Sequence, residues 1–159
     1  GLYRIYNNAR DFDSAAKLID AMCRKAGASV ELYVDYAVCL AWRHKRTRDA
    51  RLVLEQAEKM PQSMMSELAL PWARGVIEFE DGNYPMAEFF LRQAIEQQKE
   101  FKHNTMMEGL RLVMSGFLGL ALARQGRIDE AESYFAPARP FLKSVGEVGL
   151  IEDFDALAR

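Results

Sequence analysis

The sequence predicts an all-α protein, an array of antiparallel helix pairs joined by tight turns. Three observations lead there. A short pattern centred on an alanine recurs four times. The apolar residues that follow each alanine fall at helical spacing. Twelve residues before each alanine, the two clearest copies carry a glycine. Together these describe a helix, a turn and a second helix whose backbone closely approaches the first.

The pattern is clearest in "ARQGRIDEAESYF" (123–135). Gly126 lies between polar neighbours, and Ala131, five residues on, opens a series with Tyr134, Phe135 and Ala138 on one helical face. An alanine at the most inward position predicts that another backbone nearly touches it. "EDGNYPMAEFFLRQA" (80–94) repeats the device with Gly82, Ala87, Leu91 and Ala94. "HKRTRDARLVLEQA" (44–57) has Lys45 in the glycine position, then Ala50, Leu54 and Ala57. "ARDFDSAAKLIDAM" (9–22) has Arg10, Ala15, Ile19 and Met22. The key alanines are separated by 35, 37 and 44 residues. The residues twelve before them are Tyr3, Val38, Gly75 and Gly119. Gly75 is therefore expected opposite Ala87, and Gly119 opposite Ala131.

Taken in order, the elements form units over 1–25, 30–60, 63–101 and 104–143, followed by a helix at 147–158. The first unit is truncated, keeping Tyr6 from its first helix. In the third unit, "SMMSELALPW" (63–72) lengthens the first helix, with Pro71 marking a helix start or a kink. About ten extra residues precede the fourth unit, where "TMME" (105–108) has the form of a capping box, Thr105 with Glu108. This predicts a helix from Thr105 to Arg124. The glycines of "GFLGLAL" (116–122) read as close helix packing. Pro137 is expected to bend or end the last unit's second helix. Beyond Gly146, Val148, Ile151, Phe154 and Leu157 share nearly one face, as a helix covering the exposed flank of a terminal repeat would.

The offsets among Gly126, Ala131 and Gly119, repeated through the chain, resemble the tetratricopeptide repeat family, whose unit is a helix pair of 34 residues. The resemblance covers residues 1–143. The longer, uneven units are similar to those of bacterial regulators and secretion factors. It implies a right-handed superhelical array whose first helices line a concave groove that binds a protein or peptide. On that frame the groove residues are Asp35, Trp42 and Arg43 in the second unit, with Cys39 beside them. The third unit adds Trp72, Val76, Phe79 and Glu80, and the fourth adds Leu120 and Arg124, near Val113 and Gly116. Trp42 and Trp72 are expected either as apolar anchors for a ligand, with Arg43 and Glu80 setting its polarity from the rim, or as packing between neighbouring repeats. The family's Lys/Arg/Asn clamp for carboxyl-terminal peptides is not matched beyond a faint echo in Arg4, Asn8 and Arg43.

Composition narrows the function further. The chain has 159 residues, half of them hydrophobic and 28% charged, with a formal net charge of −2. That balance argues against a general nucleic-acid binder. The one dense basic run, "RHKRTR" (43–48), reads as a solvated turn. His44 and His103 lie far apart without metal-ligand spacing and read as solvated turn histidines. Cys23 and Cys39 form no CxxC pair and no disulfide framework, which favours a reduced, cytoplasmic setting. The longest apolar run, 112–123, falls short of the roughly 20 residues a membrane helix needs, so no membrane contact is expected of this segment. The paired methionines Met64–Met65 and Met106–Met107 read as packing between units. No catalytic constellation or phosphate loop is present, so neither enzymatic activity nor a cofactor is expected.

The first residue is glycine and the chain begins near a helix end, as in a domain excised from a longer protein. A non-catalytic scaffold or adaptor is the leading expectation. Two others stand beside it. One is a regulatory or sensory domain of a larger enzyme or transcription regulator. The other is self-association through the flank of the truncated first unit.

Overall fold

The computed structural model describes residues 7–100 and 105–159, with side chains from Met107 onward in the second stretch. Tyr3, Tyr6, His103 and the Thr105 cap lie outside those described residues and side chains. The helices are α1 (Phe12–Cys23), α2 (Val30–Val38), α3 (Thr47–Glu58), α4 (Met64–Glu80), α5 (Tyr84–Gln98), α6 (Thr105–Arg124), α7 (Ile128–Ser144) and α8 (Val148–Leu157). α2 continues directly into one π-helical turn, Cys39–Arg43. No strand occurs among the described residues. The all-α expectation therefore holds.

Local chemistry sets the helix starts. The Asp11 carboxylate accepts from the Ser14 amide at 3.1 Å, and the Ser29 hydroxyl accepts from the Leu32 amide at 3.3 Å. Ser63 and Ser66 form a reciprocal box, each side chain accepting from the other's backbone N–H. Such caps satisfy amides that have no partner within the helix. Pro85 sits in the first turn of α5, where its missing N–H removes no helical bond.

The turns share one conformation. Arg10 (φ 61°), Lys45 (φ 57°), Gly82 (φ 79°) and Gly126 (φ 80°) all take the left-handed region. Each precedes by five residues an alanine with no exposed surface: Ala15, Ala50, Ala87 and Ala131. The second copy thus lacks the glycine but keeps the geometry, with Lys45 and Arg10 accepting a conformation that costs L-residues about 1 kcal/mol or more. At Gly126 the turn closes as a Schellman motif: the Arg127 N–H donates to the Leu122 carbonyl and the Gly126 N–H to the Ala123 carbonyl, both at 3.0 Å. At Lys45 the corresponding bond runs from the Arg46 N–H to the Leu40 carbonyl, 2.9 Å. That is one residue further back, because the π turn holds an extra residue.

The described residues form two compact units, divided between Asp81 and Gly82. In the first, α2 packs against α1, α3 and α4, and α3 also packs against α4. Ile19, Val34, Leu40, Leu54 and Ile77 are buried here. In the second, α6 packs against α5, α7 and α8. Its glycines face α7. A methyl group on Gly119 would stand 3.1 Å from the Ala131 carbonyl oxygen and 3.0 Å from Phe135 Cβ. One on Gly116 would meet Leu142 at 3.0 Å, and one on Gly109 would meet the Phe141 ring tip at 2.8 Å. The close approach expected at Gly119 and Ala131 is therefore present, and Gly109 extends it a further turn or more. Gly75 and Ala87 are both buried.

Two expectations need correction. Of the bend or end expected at Pro137, the end does not occur: the helix runs through both Pro137 and Pro140 to Ser144. Both prolines are exposed, as are Ser133 and Ala136 four residues before them. The carbonyls that lose their partners therefore lie on the water-facing side and can be solvated. Likewise Pro71 lies inside α4, so of the start or kink expected there the helix start does not occur. The second correction concerns α8. Its buried residues are Leu150 and Phe154, whereas Val148 is 47% exposed. Phe154 stacks on Phe135 with ring centroids 4.0 Å apart and planes within 4°. That anchor rotates the inward face onto Leu150, one turn before it.

Candidate functional site

The position two residues before each of the last three turns carries Arg43, Glu80 or Arg124, three of the groove candidates. Each reaches back to the preceding turn. The Arg43 guanidinium lies 4.2 Å from the Phe12 ring centroid. The Glu80 carboxylate pairs with Lys45 Nζ at 2.8 Å. The Arg124 guanidinium lies 5.9 Å from the Tyr84 ring centroid. Phe12 and Tyr84 are themselves the first residues of α1 and α5, each two residues past a left-handed turn. One position in the repeat thus stitches neighbouring helix pairs, by cation–π contact twice and by an ion pair once.

A second set of links follows the same period. Arg51, the residue after Ala50, pairs with Glu78 at 2.9 Å and also with Asp81 just before the next turn. Glu88, the residue after Ala87, accepts from Arg127 just after the next turn at 2.8 Å. The residue after the key alanine is thus tied to the next turn in both units, as a cation in the first and as an anion in the second, with partners on opposite sides of that turn. Burial would raise the Asp81 carboxyl, but the Thr47 hydroxyl and the Arg51 guanidinium outweigh it and hold it low. Glu88 is held low in the same way by Arg92 and Gln125 against the pull of burial.

The basic run 43–48 is mostly committed to such contacts. Arg43 also stacks on Trp42 at 3.4 Å, Lys45 pairs with Glu80, and Arg46 pairs with Asp49 at 2.8 Å. His44 is tied down rather than solvated: its Nε2 lies 3.2 Å from the Phe12 carbonyl oxygen and its Nδ1 3.6 Å from the Asp13 carboxylate. Among the described residues no group of three or more His, Cys, Asp or Glu side chains could hold a metal ion. No helix among them is long and apolar enough to cross a membrane.

The remaining groove candidates divide by burial. Trp72, Val76 and Leu120 are buried and present little surface to a partner. Phe79 and Trp42 are half-buried, and Asp35 is exposed. Asp35, Cys39 and Arg43 follow at intervals of four along α2 and the π turn, so their charges act on one another: burial raises the Cys39 thiol, the nearby Arg43 guanidinium lowers it, and Asp35 adds to the rise. Asp35 itself is pushed up to about 6, by desolvation first and by the Glu31 charge second. Solvent reaches this carboxylate, yet the surrounding protein still crowds it. Within the first unit the candidates that keep some exposed surface are Asp35, Trp42, Arg43, Phe79 and Glu80, of which Asp35, Trp42 and Arg43 follow one another along α2 and the π turn.

The role of Phe12 and Lys45 as seats for Arg43 and Glu80 was not anticipated from the sequence. The signal was present in part: the reaching residue always stands two before its turn, whereas its seat is two residues past the preceding turn at Phe12 and Tyr84 and is the turn residue itself at Lys45. Comparison with protein-family models, with curated proteins and with solved structures finds no match.

Proposed function

We propose that the chain is a non-catalytic protein-interaction module, a tetratricopeptide-like array whose helix pairs stack into a right-handed superhelix. One observation carries the reading. The same left-handed turn precedes a fully buried alanine by five residues at Arg10–Ala15, Lys45–Ala50, Gly82–Ala87 and Gly126–Ala131. The π turn supports it further. A 35-residue interval separates Ala15 from Ala50, one more than the family period of 34, and the π turn accommodates one extra residue. Repeats of this kind use side chains on their first helices to hold a ligand.

The partner surface in this reading centres on Trp42, with Arg43 stacked beside it and Asp35 two turns earlier on the same helix. The partner is a peptide or helix with an apolar anchor and a charge to meet Asp35 or Arg43. A peptide-library screen on the whole chain, followed by Trp42→Ala, tests this. The variant should lose at least about 2 kcal/mol of binding free energy while its thermal melt moves little, because Trp42 is only half-buried. Unchanged affinity for every peptide selected on the parent chain would overturn the assignment of this surface.

A further inference from the structure

On another side of the first unit, α1 and α3 each pack against α2 and not against each other. Between them lies a cleft of about 410 Å³ lined by Cys23, Tyr33, Tyr36, Leu52, Val53 and Gln56, with Asp20 and Arg24 at its edge. That volume lies within the range of ligand clefts. None of its residues belongs to the groove candidates.

The polar atoms of this cleft are almost all committed. The Tyr33 hydroxyl donates to the Cys23 carbonyl at 2.8 Å. The Tyr36 hydroxyl is bonded to the Asp20 side chain, and burial together with that bond pushes the phenol up to about 12. Burial also pushes the Cys23 thiol up to about 11, with Asp20 and Asp35 adding to the rise. Both groups are therefore neutral at neutral pH. Arg24 and Asp20 pair with each other at 3.0 Å, so the edge has no net charge. Two features stay open to a ligand. Leu52 is 55% exposed at the lip, and the exposed Gln56 carboxamide is without a side-chain partner among the described residues.

An ion entering the cleft would find no uncommitted counter-charge. A pure hydrocarbon would leave the Gln56 amide unpaired if it covered that group, a desolvation cost. We propose that the cleft docks an apolar, uncharged residue of a partner peptide, leucine or phenylalanine in kind. Its side chain lies on Tyr33, Tyr36 and Leu52, and its backbone amide pairs with Gln56. The proposal rests on the interaction-module reading and names a second contact point for the partner.

The test titrates the whole chain with N-acetyl-L-phenylalaninamide and N-acetyl-L-leucinamide, following backbone amide resonances by NMR. Saturable shifts confined to the stretches 20–24, 33–36 and 52–56 are expected. Leu52→Asp should weaken binding at least tenfold and Gln56→Ala about threefold or more. Free phenylalanine, a zwitterion, should bind at least tenfold more weakly than its capped form. Both substituted residues are exposed, so helical circular dichroism should be unchanged in both variants. Absent or non-saturable shifts, shifts centred elsewhere, insensitivity to either substitution, or equal binding of the zwitterion would each overturn the proposal. Trp42→Ala leaves the cleft untouched, so failure here is distinguishable from failure of the module reading.

Discussion

Gly119 on α6 sits so close to Ala131 on α7 that a single added methyl would stand 3.1 Å from the Ala131 carbonyl oxygen. The helix backbone at Ala131 and the Phe135 Cβ, 3.0 Å from that methyl, have little room to retreat. Gly119→Ala should therefore overpack the contact and cost roughly 1–3 kcal/mol, more than offsetting the gain of up to about 1 kcal/mol from better helix propensity. Ala131→Leu should fail in the same way. Gly109→Ala is the contrast: its methyl would meet only the tip of the half-buried Phe141 ring, which can swing aside. Chemical denaturation of the three variants checks the ranking. A Gly119→Ala protein as stable as the parent would contradict the close approach.

The turn glycines make a separate prediction. Nothing lies within 4 Å of the position a Cβ would take at Gly126 (φ 80°) or at Gly149, which has helical backbone. Any cost at Gly126 must then come from the backbone alone. Gly126→Ala should destabilise by about 1 kcal/mol, and Gly149→Ala should stabilise by up to about 1 kcal/mol. Matched thermal melts of the two variants would reveal opposite signs if the turn conformation is as described.

The two tryptophans should behave differently. Trp72 is 7% exposed, and Trp72→Ala should cost about 3–5 kcal/mol of stability, as truncation of a buried aromatic does. Trp42→Ala should cost clearly less. Comparable losses in urea titrations would show that Trp42 is a core residue as well, and would leave Arg43 without an accessible aromatic neighbour for a ligand.

Asp35 predicts a pH dependence. Its carboxyl is raised from 3.8 to about 6 in the folded chain, so the folded state binds more protons than the unfolded state between those values. Stability then falls as pH rises through that window and stays at the lower level above it. Because solvent reaches the group, screening discounts the effect to about 1 kcal/mol. Asp35→Asn should stabilise the protein by about that amount at pH 7 and not at pH 3. A variant difference that is constant from pH 3 to 8 would exclude this origin.

At the other end of the chain, Arg139 donates to the Asp155 carboxylate at 2.7 and 3.2 Å, beside the stacked rings of Phe135 and Phe154. The ring, and not the half-buried ion pair, should hold α8 in place. Phe154→Ala should cost about 3–5 kcal/mol and release hydrogen-exchange protection across α8. Asp155→Asn should leave that protection nearly intact.

Much of the architecture was legible because it depends on local spacing. The five-residue step from turn to alanine, the glycine twelve residues earlier and the start of α6 at Thr105 each follow from short-range periodicity, and the chain was long enough to repeat them. The Gly119–Ala131 contact was readable for the same reason, since two helices joined by a tight turn must meet at a fixed offset. What the tertiary structure decided are the matters that depend on which side of a helix meets water. Pro137 and Pro140 stay within α7 because their orphaned carbonyls face solvent. Phe154 rotates α8 by stacking on Phe135. Trp72, Val76 and Leu120 are inward rather than open, because burial of a first-helix residue is set by the helices packed around it. Arg43, Glu80 and Arg124 reach back to the preceding turn, a relation between residues some 31 to 40 positions apart that only packing brings together. The period of the chain was written in its sequence. The orientation of each helix about its own axis, and so the surface left for a partner, came from side chains competing for the same interior.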